Sequence, residues 1–400
     1  MTLAPSRALT VALIHCISWL VMIGTVSVAL PAQSPAPAAP RHTSSLDIST
    51  DEEVVTVTIS NAWDGAPELS YMLIPSDTSA SSRDAIVLHG TSDPAADTRE
   101  SLEAIIELPV RRIASLATPA LAHLADVGAL DRVVAVDNLN YVYNRRVLAA
   151  AEAGEIVEVG SGPELNLERL ITAEPDVVIA SAYGTDDPTV TRIQSAGIPV
   201  IVYADWREHD PLARAEWILL FGLLVERSAR AEEIFAERER RYRQLAELVE
   251  EFVTERPTIM ANAPWQGSWP VPGGDSYVAQ LFADAGGDYL WADRAGSGSR
   301  FLDLEAVLSR AVEADFWINL NVGWTDRDDA READPRLAAF APFRHQQMYH
   351  HNARVRASGA NDFWESGATR PDLVLADLVR ILHPTLRTDH DLFYYRRLAP

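Results

Sequence analysis

The chain has 400 residues, a net charge of −23 at neutral pH and 48% hydrophobic residues, which suits two domains of ordinary size with large cores and excludes global disorder. The acid excess excludes a nucleic-acid or anionic-membrane partner, because phosphates need a basic footprint. All 34 Lys-plus-Arg positions are Arg, so a P-loop, a Schiff-base amine and a kinase-type site are excluded too.

Arg7 precedes an apolar run over residues 8–30, with the small-residue stretch Ser27-Val28-Ala29 near its end. Residues 1–32 therefore read as a secretory signal peptide. The alternative is a retained anchor, since the run is long enough to span a bilayer. The chain's single cysteine, Cys16, lies inside this run, behind a bulky His15 that suits lipid attachment poorly. Cleavage would leave no thiol, hence no disulfide, no thiolate metal site and no cysteine nucleophile. Residues 33–45, rich in Pro and Ala, form a semi-extended linker.

Residues 46–108 read as a β extension, with strand-like runs at 54–59, 71–74 and 85–88. A βα rhythm follows over 109–225. Apolar runs at 113–116, 133–136, 156–159, 177–180 and 200–203 read as buried parallel strands, separated by helices at 119–127, 165–173 and 189–196. From residue 211 to 254 the pattern is helical throughout. Within it, Phe235, Tyr242 and Val249 recur every seven positions and mark a linking helix at 226–254. The rhythm returns over 255–400, with strands at 258–263, 316–320 and 347–350 and helices at 275–285, 302–312 and 371–382.

The two halves echo each other. Leu165-Asn166-Leu167-Glu168 precedes a helix and then Asp176-Val177-Val178-Ile179. Leu302-Asp303-Leu304-Glu305 precedes a helix and then Asp315-Phe316-Trp317-Ile318. The expected fold is α/β: two Rossmann-like lobes joined by a long rigid helix, with an N-terminal β extension.

These strings, with Glu174-Pro175-Asp176, Ala196-Gly197-Ile198-Pro199-Val200 and Pro272-Gly273-Gly274-Asp275, resemble the class III periplasmic substrate-binding proteins of iron-siderophore and cobalamin ABC importers. The resemblance runs from about residue 111 to 386. It implies a monomeric, exported carrier, periplasmic or tethered to the cell surface. Such a carrier binds a metal chelate between its lobes: a ferric siderophore first, then cobalamin or haem. It delivers the chelate to an inner-membrane permease, holds no cofactor or metal of its own and performs no catalysis. The resemblance further implies that one Glu per lobe docks on Arg residues of the permease, which carries over to Glu168 and Glu305.

The residues themselves carry no enzyme signature. Gly160-Ser161-Gly162 does not extend to a dinucleotide fingerprint, and Gly296-Ser297-Gly298 lacks the strand and helix of a nucleophile elbow. His350-His351 is a weak metal pair, because neighbours on a strand point to opposite faces. Aromatic residues gather after the expected strands, where open α/β sheets bind ligands. Tyr141, Tyr183, Trp206, Trp265, Trp269, Trp324 and Trp364, with Arg294, are the candidate ligand-binding set for a large, flat and partly anionic molecule. Two alternatives stay open: a free zinc or manganese carrier built around His123, His209, His350 and Asp362, and an exported hydrolase or metalloenzyme on the same scaffold.

Overall fold

A computed structural model describes residues 38–51, 54–78 and 102–400. The signal peptide, Cys16, the first part of the linker and the strand expected at 85–88 lie outside the described residues.

Strands β1 (Leu46–Asp51), β2 (Val54–Ile59), β3 (Leu69–Pro75) and β4 (Leu102–Leu108) form a sheet in that order, antiparallel except for the parallel β3–β4 pair. Its inward residues Ile48, Val57, Ile59, Tyr71 and Ile106 share one continuous core with the lobe that follows. The Tyr71 hydroxyl reaches the amide of Val202 in that lobe, at 3.1 Å.

The first lobe alternates β5 (Ile113–Ser115), α1 (Thr118–Asp126), β6 (Val133–Val136), α2 (Arg145–Glu152), β7 (Val157–Glu158), α3 (Leu167–Thr172), β8 (Val177–Ala180), α4 (Pro188–Ser195) and β9 (Val200–Val202). All five strands are parallel, in the order β7-β6-β5-β8-β9. The chain thus winds outward in both directions from β5. Strands buried on both faces explain the unbroken apolar runs: every residue of β6 and β8 is buried.

The helical stretch after β9 is three helices, α5 (Pro211–Glu216), α6 (Ile218–Leu224) and α7 (Ser228–Phe252), the last within the linking segment expected at 226–254. The chain breaks before α7 because Glu226 takes a left-handed conformation, φ 56°. Along α7 the buried residues Ala231, Phe235, Arg238, Tyr242, Leu245 and Val249 follow 3–4 spacing. Ala231 and Phe235 belong to the first-lobe core, whereas Tyr242, Leu245 and Val249 belong to the second. One helix is therefore embedded in both cores.

The second lobe contains β10 (Thr258–Ala261), β11 (Trp269–Pro272), α8 (Tyr277–Asp284), β12 (Asp288–Tyr289), β13 (Ser299–Leu302), α9 (Leu304–Ala311) and β14 (Phe316–Ile318). It continues with α10 (Arg327–Ala333), α11 (Ala341–Arg344), β15 (Met348–His350), α12 (Asp362–Glu365), α13 (Pro371–Leu382) and β16 (Arg396–Arg397). Its main sheet runs β12-β10-β14-β15-β16, parallel except for β16, and β11 pairs with β13 as a separate antiparallel ribbon. No helix among the described residues is long and apolar enough to cross a membrane.

Candidate functional site

Three parallel strands of the second lobe end at one cavity. Both β10 and β14 are followed by an asparagine in the left-handed region, Asn262 (φ 64°) and Asn319 (φ 61°). Asparagine tolerates that conformation better than other side-chain-bearing residues, so each strand turns sharply out of the sheet at its carboxyl end. The loops that follow, with the first turns of α8, the aromatic end of α12 and the closing segment near β16, enclose about 400 Å³. Trp265, Tyr277, Phe363, Trp364 and Tyr395 supply aromatic surface, and Asn262, Asn319, Asn321, Ser276, Ser297 and Ser299 supply amides and hydroxyls. Among the described residues no Asp, Glu or Arg lines it.

Much of this polar wall is already engaged. Asn319 accepts a 2.8 Å hydrogen bond from the Tyr395 hydroxyl, and the Asn262 amide donates to the Pro270 carbonyl at 2.9 Å. The Ser276 hydroxyl caps α8 by accepting from the Ala279 amide at 3.2 Å. His351 differs. Strand β15 ends at His350, so His351 leaves the sheet and joins the cavity wall. Its ring stacks on Phe363 at 4.1 Å, and burial pushes its pKa down to about 4. The rings of His350 and His351 lie 4.5 Å apart, contrary to the opposite faces expected of strand neighbours, because only the first is still in the strand.

The candidate aromatics fall into three groups. Trp265 and Trp364 line the cavity and are 60% and 50% exposed. Tyr183 and Trp206 pair at 5.9 Å after β8 and β9 of the first lobe, and Tyr141 is exposed in the loop after β6; none of the three lines the cavity. Trp269 and Trp324 are core residues, a correction to their candidate role. Trp269 is fully buried, its indole N–H donates to the Ala261 carbonyl at 3.0 Å, and both rings pack against Trp317. Arg294 is exposed on a loop and does not line the cavity, and its carbonyl accepts from the Gly274 amide at 2.5 Å. Tyr277, Asn262, Asn319 and His351 went unnoticed as lining. The Asn at the end of β10 and of β14 was the available signal.

The residues of the free-metal alternative do not converge. His123 is buried against Phe221 and shares a 3.1 Å hydrogen bond with Tyr203, His209 contacts the Asp275 carbonyl at 2.8 Å, and Asp362 pairs with Arg354 at 2.5 Å. Among the described residues no group of three or more His, Cys, Asp or Glu could hold a metal ion.

Glu168 and Glu305 each occupy the second position of a helix, α3 and α9, behind the capping side chains of Asn166 and Asp303. Both are exposed, and Glu305 pairs with Arg336 at 2.9 Å.

A family model described as periplasmic binding protein matches residues 113–355, well over half of the chain. The chain belongs to that family. This periplasmic binding protein is 27% identical over 244 residues, 60% of the chain, to an uncharacterized lipoprotein of Methanocaldococcus jannaschii, and the match spans 56% of that protein's length. It is 25% identical over 216 residues, 52% of the chain, to the vitamin B12-binding protein of Vibrio parahaemolyticus, spanning 70% of it. Among solved structures it resembles a periplasmic heme-binding protein of Pseudomonas aeruginosa, with a TM-score of 0.53 and 18% identity over 69% of this chain and 94% of the other. It also resembles a molybdate-binding periplasmic protein of Haemophilus influenzae, with a TM-score of 0.54 and 17% identity over 71% and 89%. The matched span begins at β5. The sheet β1–β4 precedes it, and the cavity residues Phe363, Trp364, Leu378 and Tyr395 follow it.

Proposed function

We propose that this periplasmic binding protein is the extracytoplasmic substrate-binding component of an ABC importer and carries a large metal chelate with an uncharged contact face. One observation carries the reading. The cavity at the carboxyl ends of β10, β14 and β15 offers aromatic rings, amides and hydroxyls, and no charged side chain among the described residues. An anionic ferric siderophore or the propionates of haem would be buried there without a cationic partner, which is costly. A corrinoid, whose periphery is mostly amide, meets complementary groups. This moves cobalamin ahead of the ferric siderophore that the family resemblance puts first. The family likeness to a vitamin B12-binding relative supports the same order.

The protein is read as exported, with residues 1–32 as its signal and the permease and a chelate as its partners. Titration with cyanocobalamin, an anionic ferric catecholate, haem and a disaccharide, followed by Trp emission, tests the ligand class. Cyanocobalamin should quench the cavity tryptophans with a dissociation constant of about 1 μM or lower. Quenching by the anionic chelate or the sugar alone would overturn the reading.

A further inference from the structure

Residues 38–45 carry no regular secondary structure, yet the body of the protein holds them as a strap. Two buried carboxylates form the receptor. Glu216, at the end of α5, accepts from three successive backbone amides: Arg41 at 2.8 Å, His42 at 2.6 Å and Thr43 at 2.9 Å. Glu208 accepts from the Thr43 hydroxyl and from the Ser44 amide at 3.3 Å, and the Trp217 indole N–H fixes it at 3.0 Å. Farther out, Glu232 of α7 accepts from the Ala38 amide at 3.2 Å. The strap is thus bound to two elements at once, the segment from β9 through α5 and the long helix α7.

At the centre of the strap, the His42 ring meets Phe235 of α7 edge-on, with a carboxylate at each nitrogen. Glu239 of α7 lies 3.0 Å from Nε2, and Asp210, which caps α5, lies 3.6 Å from Nδ1. A neutral imidazole has one N–H and serves one of these acceptors, whereas an imidazolium has two and serves both. We propose that His42 is a proton-gated clasp: as an imidazolium it staples the strap across Asp210 and Glu239, and on losing its proton it lets the strap loosen from α7.

The surrounding charge favours the protonated ring. Glu216 and Glu208 add two more carboxylates beneath the strap. The facing cations, Arg41 of the strap itself and Arg243 of α7, both pair with Glu239, at 2.7 and 3.0 Å. Among the described residues, His42 is the cation that pairs with Asp210. Asp210 above all holds the His42 pKa above its ordinary value, against burial and with support from Glu239 and Glu216. The folded histidine therefore keeps its proton to higher pH than the unfolded one. The stabilisation is fully present below the unfolded value and is lost as pH rises through the folded one.

The clasp sits at the lobe junction. His42 helps to line a crevice of about 560 Å³, with His209, Tyr242, Asp275 and Asp284 also on its wall. His209, next to Asp210, donates to the Asp275 carbonyl of the second lobe at 2.8 Å. Ser276, the residue after Asp275, lines both this crevice and the aromatic cavity. The strap precedes the span that the family model matches, so the clasp is a feature of this chain's own N-terminal segment.

Hydrogen exchange of the full chain, read by mass spectrometry and corrected for the intrinsic rate at each pH, reports on the clasp directly. The amides of residues 41–44 should lose protection by about three- to tenfold between pH 6 and pH 9, while those of β8 keep theirs. Sodium chloride at about 1 M should weaken the protection of the strap at pH 6, because it screens exposed ion pairs. In His42→Gln, which stays polar but cannot carry the proton, the strap should show the weaker protection at both pH values. Equal protection of the wild-type strap at pH 6 and pH 9 would overturn the proposal. A fall that persists in His42→Gln would assign the gate to another group, His209 first, and remove His42 from the role. Should the variant fail to fold, the nitrogen NMR spectrum of the wild-type ring decides at pH 7, where a free histidine is mostly neutral. Two protonated nitrogens on His42 uphold the clasp, and a single one overturns it.

Discussion

Glu365 sits in the second lobe, yet its carboxylate is bound by the backbone of the first. It accepts from the amides of Tyr143 at 2.6 Å and Asn144 at 3.3 Å, where Asn144 caps α2. Burial, with Asp362 adding a smaller push, raises its pKa to about 7 despite those two donors. The sign follows from linkage. An unfolded Glu titrates near 4.5 and the folded one near 7, so the folded state holds the proton more tightly. Stability is greatest below the lower value and declines as pH rises through the higher. Glu365→Gln cannot titrate. The stability difference between wild type and variant, measured by denaturant titration at pH 5 and pH 8, should change by about 3 kcal/mol in the direction that penalises wild type at pH 8. Parallel pH profiles would show that this carboxyl does not titrate in the range. The same contact matters for shape: with Arg356 donating to the Val142 carbonyl at 2.6 Å, it ties the loop before α2 to the opposite lobe.

Among the elements, α7 decides how the lobes are held. It is embedded in the first core through Phe235 and in the second through Tyr242 and Val249. Its Arg238 also pairs with Asp126 at the end of α1, at 2.8 Å. A helix anchored at both ends transmits small rotations and resists wide hinge opening. Its close approach to α6 depends on Gly222, where an added methyl group would lie 2.5 Å from the Ala231 Cβ and 3.1 Å from the Arg227 carbonyl. Neither neighbour is a flexible side-chain end, so the helices must separate. Gly222→Ala should therefore destabilise the protein by about 1–3 kcal/mol, read as a lowered Tm, even though alanine is the better helix former. A neutral or raised Tm would mean that α6 and α7 shift freely, and the view of α7 as a rigid strut would weaken with it.

For the whole molecule, the pairing of Glu168 and Glu305 at equivalent places in two similar lobes makes them the proposed contacts with the permease. Each lies in a first helical turn, where the helix dipole favours an anion and the side chain stays in solvent. They are not equivalent in detail, because Arg336 already neighbours Glu305 and must be displaced or shared on docking. The exposed pair is weak enough to exchange partners. Glu168→Ala combined with Glu305→Ala should leave folding and chelate binding intact and lower uptake by about tenfold in a reconstituted importer, since directional Arg–carboxylate pairs set both affinity and orientation. Normal uptake would remove these two residues from the interface. Lost chelate binding would mean that they face the ligand.

What the sequence determined by itself was the α/β class, the two similar lobes and the long helix. These rest on local periodicity: strands buried on both faces read as apolar runs such as residues 177–180, and α7 shows its buried stripe at 3–4 spacing. The start of the linking helix at residue 226 was legible and matches the left-handed Glu226, whereas the further division of the preceding stretch at Trp217 was not, because no Gly or Pro marks it. The site was legible only in part. Trp265 and Trp269 sit four residues apart after one strand, and nothing local tells them apart; the ribbon pairing of β11 with β13 buries the second and leaves the first on the cavity wall. His351, noted in the sequence only as half of a weak metal pair, joined the cavity wall because tertiary structure ended β15 at His350 and brought Phe363 and Tyr395, distant in sequence, around its ring. Burial and convergence are long-range properties, so the cavity wall, the buried imidazole of His351 and the raised carboxyl of Glu365 were decided by packing alone.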